Sequence, residues 1–428
     1  MNRQLSSLTA PGRRRRVIVA AIAILALGGA GAVLIWLAVR PAFALGRADE
    51  ALRRYDFTSA RAELNDYLER WPNEAGPLLL AAKLARRSDA CAEAERRLTE
   101  LEQRVGTTPA SQLEWMLLGA QQGDFAGEEQ RLQLTVSQNG PEAPEIVEAL
   151  AKGYKVSYRW SEALMTLDWL IQRSPEHLPA LLLRGKILDH LRETDAAAAD
   201  FRRAVAQAPE NAATHTALAE ALNRLGHTRE AIYHYEVAER LRPGDSTTLL
   251  GLARALTDAA ALSEAEHQLD KVLAADANNS DALVERGRLA LRRSRPAEAE
   301  PFLARAVGAA PWRRDGYQLQ LLALRELGRP EAISQCSARL AELQSEDAAG
   351  GRLKSQAVTA PGVVAPRREL WQWSQRNGQR EDALAWLTEV LRLDPGHAQA
   401  HAAFADYFER AGQPRRAALH RAAAAELR

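Results

Sequence analysis

THTALAEALNRLGHTREAIYHYEVAERLRPGD, running from Thr214 to Asp245, reads as a helical hairpin closed by Pro243. Working outward, the same features return at one period. Pro175, Pro209, Pro243, Ala277 and Pro311 are evenly spaced, each thirty-four positions after the last. Ala163, Ala197, Ala231, Ala265 and Ala299 keep that spacing, as do Ala151, Gly185, Ala219, Ala253 and Gly287. A series of large residues follows: Leu167, Phe201, Tyr235, Leu269 and Leu303. A fifth series is Leu170, Ala204, Ala238, Val272 and Ala306. Small residues in the 151 and 163 series let two helices of a hairpin approach closely, and the 167 series fills the space between hairpins. Proline ends the second helix, because it lacks a backbone donor and restricts the residue before it. One hairpin cannot bury its apolar face alone, so the units must stack.

With Ala219 and Ala231 at the small positions, Tyr235 at the large one and Pro243 at the close, the stretch resembles the tetratricopeptide repeat family. The resemblance implies an all-α superhelical solenoid of about ten hairpins covering nearly everything beyond the N-terminal segment. Outside the central five units the register loosens. Ala44 to Asn73 makes a first unit, with Ala60, Leu64 and Pro72 in place, and Ala75 to Thr108 a degenerate one without its proline. Trp115, Leu118 and Gly119 begin a third, with a shortened turn at Gly123-Asp124, and Gly316 to about Leu343 forms another. The stretch Ser345 to Pro366, SEDAAGGRLKSQAVTAPGVVAP, lacks helical apolar periodicity and is punctuated by Gly350-Gly351 and Pro361-Gly362. The interval from Pro311 to Pro395 is two periods plus sixteen. The expected organisation is a basic tail at 1–16, a membrane segment at 17–39, the solenoid at 40–344, a linker or insertion at 345–366, and a final repeat pair with a capping helix at 367–428.

The segment Val17 to Val39, VIVAAIAILALGGAGAVLIWLAV, contains no charged residue. Helical, it is long enough to cross a hydrocarbon core of about 30 Å. Arg13 to Arg16 lie directly before it, which argues for a cytoplasmic N-terminus and repeats on the far side. Ala42-Phe43-Ala44 has the form of a signal-peptide cleavage site, the competing reading. The length of the apolar run favours an uncleaved transmembrane helix.

Composition excludes more than it assigns. With 56 basic and 55 acidic residues the net charge is +1, so there is no global field to hold nucleic acid. Cys91 and Cys336 match no metal or redox spacing. No phosphate loop, HExxH or CxxC pair occurs, and no cofactor, metal or catalytic residue is expected. His397 and His401, and likewise His227 and His234, read as solvated residues at repeat boundaries, since no third ligand stands nearby.

In the resembled family the concave groove is lined by first helices. Carried over, its ninth position gives Lys152, Lys186, Glu220, Arg254 and Arg288. The twelfth and thirteenth add Lys155, Asp189, Asn223, Arg224, Asp258 and Arg292. The candidate binding residues are therefore Lys152, Lys155, Lys186, Asn223, Arg254, Arg288 and Arg292, a groove that leans basic and suits an acidic or extended peptide. The family's chaperone clamp needs asparagine at the ninth position of its first unit. Lysine and arginine stand there instead, so that role is not carried over. The expected function is a non-catalytic adaptor in the bacterial inner membrane, with its repeats in the periplasm, gathering envelope-assembly or secretion proteins. The alternative is a substrate-recruiting partner of a glycosyltransferase or protease.

Overall fold

The computed structural model describes residues 43–427 apart from 53, 54, 72, 73 and 126. The basic tail at 1–16 and the apolar segment Val17 to Val39 lie outside these residues. No helix among the described residues is long and apolar enough to cross a membrane.

The described chain is helical throughout. It runs α1 (residues 43–52), α2 (Phe57–Arg70), α3 (Ala75–Arg87), α4 (Cys91–Val105), α5 (Pro109–Ala120) and α6 (Glu129–Ser137). Then come α7 (Ala143–Val156), α8 (Trp160–Arg173), α9 (Leu178–His190), α10 (Thr194–Gln207), α11 (Ala212–Arg224) and α12 (Thr228–Leu241). There follow α13 (Ser246–Asp258), α14 (Leu262–Ala275), α15 (Ser280–Arg292), α16 (Pro296–Ala309), α17 (Arg314–Glu326) and α18 (Pro330–Thr359). The last four are α19 (Val364–Arg376), α20 (Arg380–Leu393), α21 (Ala398–Arg410) and α22 (Pro414–Glu426). The chain divides into two compact units, one ending at Trp115 and the other beginning at Met116. Cys91 and Cys336 are not joined in a disulfide.

Each local device repeats with the sequence period. His177, Asn211, Asp245, Asn279 and His397 cap α9, α11, α13, α15 and α21, each side chain accepting a backbone N–H of the first turn. The turn inside each hairpin places one residue in the left-handed region: Tyr158, Arg192, Gly226, Ala260, Ser294, Gly328, Gly378 and Gly412. Only half of these are glycine, so the turn geometry recurs where its usual residue does not. The small and large series meet as expected. A Cβ on Gly185 would stand 2.5 Å from the Phe201 ring, and one on Gly287 would stand 2.5 Å from Leu303. Ala163, Ala197, Ala231, Ala265 and Ala299 have no exposed surface.

The stretch expected as a linker or insertion at 345–366 is not a linker but an insertion that is mostly helix. Residues through Thr359 continue α18, which is 30 residues long against 14 for α16, a difference of sixteen. The extra sixteen found by proline spacing are thus four added turns of one helix. Pro361 stands one full period before Pro395 and resumes the register. Along α18, Cys336, Leu343, Gly350 and Ala357 are buried at intervals of seven, one seam on a helix that packs on both α17 and α19. Gly350-Gly351 does not break the helix, because the Trp373 ring occupies the space of a Gly350 side chain, 2.4 Å from where a Cβ would sit. The Trp373 indole also donates to the Glu346 carbonyl at 2.9 Å, and Arg367 donates to the carbonyls of Ala357, Ala360 and Val363 at the helix end.

Candidate functional site

In the second unit, α7, α9, α11, α13, α15 and α17 pack side by side as successive first helices. One face of this row carries the side chains singled out from the sequence. Lys155 and Lys186 are exposed, while Lys152 is mostly buried and lies 3.8 Å from Glu148. Arg254, Arg288 and Arg292 keep nearly half of their side-chain surface in solvent.

The structure brings these bases together with acids from the neighbouring helices. Arg254 donates to Glu285 at 2.7 Å and lies 3.7 Å from Asp281. Arg288 pairs with the same Glu285 at 3.1 Å. Arg292 donates to the Thr257 carbonyl at 2.8 Å and lies 3.8 Å from Asp258, to which Asn223 also donates at 3.5 Å. Arg224 reaches Asp189 at 2.5 Å. Burial lifts the Glu220 carboxyl above the usual carboxylate range, against the pull of Arg224, Lys186 and Arg254. The face is therefore a ladder of alternating sign rather than a bare basic stripe. Glu285 and Asp281, which the sequence reading passed over, are what balance it. Their signal was present: Arg254 holds the ninth position of one unit and Glu285 the sixth of the next, so the two face each other across neighbouring first helices.

Residues 149–212, 191–246 and 250–311 match the tetratricopeptide repeat family model. The central units are similar to tetratricopeptide repeats. No curated protein matches the chain. Among solved structures, the chain is similar to PilW, titled a widely conserved type IV pilus biogenesis factor, at 20% identity. That match covers 47% of this chain and 93% of PilW, with a TM-score of 0.44. It is similar to TTC0263, a tetratricopeptide repeat protein of Thermus thermophilus, at 21% identity over 43% of this chain and 99% of that one, with a TM-score of 0.37. YrrB, titled a repeat protein with an unusual peptide-binding site, is 21% identical over 47% of this chain and 96% of its own, with a TM-score of 0.30. Proteins built of these repeats mediate protein–protein contacts.

The repeats also make a contact that the sequence did not announce. The last hairpins of the second unit return onto its first ones. Asp124, in the α5–α6 connection, accepts from Arg416 at 2.5 Å and from His420 at 3.0 Å, both on α22. Burial pushes the Asp124 carboxyl up, but Arg416 and His420 together overcome it and hold the group well below the usual carboxylate range. Nearby, the Tyr158 hydroxyl donates to Asp382 at the start of α20, and its ring meets Trp386 edge-on at 6.1 Å. Tyr158 is a bulky residue at φ 57, a conformation that L side chains adopt only under constraint. Elsewhere in the unit, a cleft of 540 Å³ between α12 and α14 opens over Leu252 and Leu256, rimmed by Glu236, Glu239, His267 and Lys271.

Proposed function

We propose that this chain is an adaptor that takes extended peptide segments of other proteins along its first-helix groove, in the assembly or secretion machinery of a bacterial cell envelope. The observation that carries this reading is the row of six adjoining first helices with Lys155, Lys186, Arg254 and Arg288 partly in solvent on one face. A peptide with acidic side chains would meet several of these cations at once. Each exposed pair would contribute only a few tenths to about 1 kcal/mol, so binding energy must come from the set and from apolar contacts between.

The internal pairing decides which variants are informative. Glutamate at position 254 would face Glu285, which is mostly buried, so that change tests the fold as much as the groove. Lys155→Glu with Lys186→Glu leaves the arginine ladder intact and is the test, read in a variant shown to be folded because Lys186 also acts on the Glu220 carboxyl. Photocrosslinking from the solvent-exposed neighbours of these lysines, followed by mass spectrometry, identifies the captured partner. The double variant is expected to weaken that capture about tenfold at low salt and less at high salt. Unchanged capture with an unchanged salt dependence would move the search to the cleft over Leu252 and Leu256.

The same reading holds the chain in the inner membrane through residues 17–39, with the repeats outside the cytoplasm. It rests on the uncharged length of that segment and the four arginines before it. A reporter active only in the periplasm, fused after Arg428, is expected to be active and to fractionate with membranes. Activity of a cytoplasmic reporter at that position would reverse the orientation, and a shortened soluble form would show cleavage near Ala44.

A further inference from the structure

The direction in which the second unit bends can be read from which helices touch. Consecutive first helices from α7 to α17 pack on one another. Among the described residues, no two consecutive second helices from α8 to α18 pack comparably. First helices are thus drawn together and second helices fanned apart, so the row curves with its first helices inside. The cleft between α12 and α14, opening onto Leu252 and Leu256 of α13, is one of the outer gaps.

The curve runs to a full circle. Beyond α17 the packing passes to α18, α19 and α20 in turn, and α20 packs back on α7. Separate elements fasten this seam. Asp124 pairs with Arg416 at 2.5 Å, and the Tyr158 hydroxyl donates to Asp382. Gly123 lies so close to α20 that a Cβ there would stand 3.2 Å from the Thr388 hydroxyl. The inner face is not filled: Lys155 and Lys186 are exposed, and Arg254 and Arg288 keep nearly half of their side-chain surface in solvent. About eight interaxial steps of roughly 8–10 Å make a circle about 20–25 Å across, and subtracting one helix diameter of about 10 Å leaves an aperture of about 10–15 Å. An extended chain passes through such an aperture. A folded domain of about 75 residues, about 30 Å across, does not.

We propose that the groove is an encircled passage, and that the segment it takes is the unfolded terminal tail of a partner protein, threaded end first. This rests on the adaptor reading and narrows it. A groove open along one side accepts a segment laterally, so a loop between two folded domains would serve as well as a tail. Here α20 on α7 bars that side, and the Arg416 and Tyr158 contacts hold the bar in place. The entering chain must therefore offer a free end and stay extended over the depth of the passage. That depth is the length of a first helix such as α11, 13 residues or about 20 Å. Acidic side chains along the tail would meet Lys155 and Lys186 on the way through. Release follows the same route in reverse, so residence depends on what the free end carries once it has emerged.

The test is the order in which a probe is bound and capped. The probe is a dye-labelled peptide of about 30 residues, glutamate spaced by serine and valine, about 100 Å long when extended, so that both ends clear the passage. It is made with free ends, with a folded domain of about 75 residues at either end, and with such a domain at both ends. Fluorescence anisotropy with the full chain reads association, and a chase with unlabelled free-ended probe reads dissociation. Free and singly capped probes are expected to associate alike. A probe capped at both ends beforehand should associate at least about a hundredfold more slowly, a change as large as most interface mutations produce. A probe bound first and then capped at both ends by ligation should be trapped, leaving at least about a hundredfold more slowly than the singly capped one. If capping at both ends changes neither rate in either order, the groove is open at its side; the proposal is overturned and the adaptor reading stands. Slowed association without trapping shows crowding at the mouths, which overturns it as well. If even the free-ended probe does not bind, the adaptor reading falls, and the threaded tail falls with it.

Discussion

Arg86→Met is expected to cost the first unit about 3–5 kcal/mol, the range for breaking one side of a buried ion pair. Arg86 keeps 2% of its surface and Glu114 keeps 1%, and they meet at 2.8 Å. Methionine preserves the apolar bulk but leaves the Glu114 carboxylate enclosed, with Lys83 no nearer than 3.8 Å. The loss comes from that stranded charge rather than from the worth of the bond, so a second change should restore most of it. Arg86→Met with Glu114→Leu replaces the pair by apolar side chains, which is often neutral or stabilising. Hydrogen exchange across α3 and α4 reads the first unit by itself, which matters in a repeat array that does not unfold in one step. A single variant within about 1 kcal/mol of the parent, or a double variant no better than the single, would show that this charge is not stranded.

Phe404→Ala should cost about 3–5 kcal/mol in the last hairpins, the usual range for deleting a buried phenyl ring. Phe404 has no exposed surface. Its ring stacks on Phe408 at 5.6 Å and on the His420 imidazole at 5.0 Å, and it belongs to the cluster with Trp371, Leu387 and Val390. The cavity would remove the surface against which α22 sets His420, so protection from exchange should fall in α21 and α22 together. The central repeats, α9 to α16, should keep theirs, because stability in such arrays is a sum of local and nearest-neighbour terms. Loss spread evenly over the second unit would contradict that locality.

Two histidine pairs correct the sequence reading of His401 and His234 as solvated residues. His401 is bonded to His420 and His234 to His215, each on the adjacent helix of its hairpin. His397, four positions before His401, instead caps α21 through its ring nitrogen. Spacing along one helix could not distinguish these roles, since the partner lies nineteen positions on, across the hairpin turn.

What the sequence determined by itself is whatever one hairpin and its neighbour enforce within a few dozen residues. The small series through Ala231, the large series through Tyr235 and the prolines are local demands of helix packing and helix ending, so they repeat wherever the unit repeats. Proline spacing even counted the sixteen added residues. Their form escaped the sequence because two glycines each lower helix propensity by about 1 kcal/mol. The burial of Gly350 under Trp373 outweighs that only once α19 is in place. The groove positions were legible for the same local reason, while their charge balance needed the next helix, where Glu285 meets Arg254. Tertiary structure alone decided the contact of Asp124 with Arg416. Asp124 and Arg416 are 292 residues apart, and no local pattern marks either one. Their meeting depends on the summed curvature of every hairpin between them, a quantity that each unit affects slightly and none encodes.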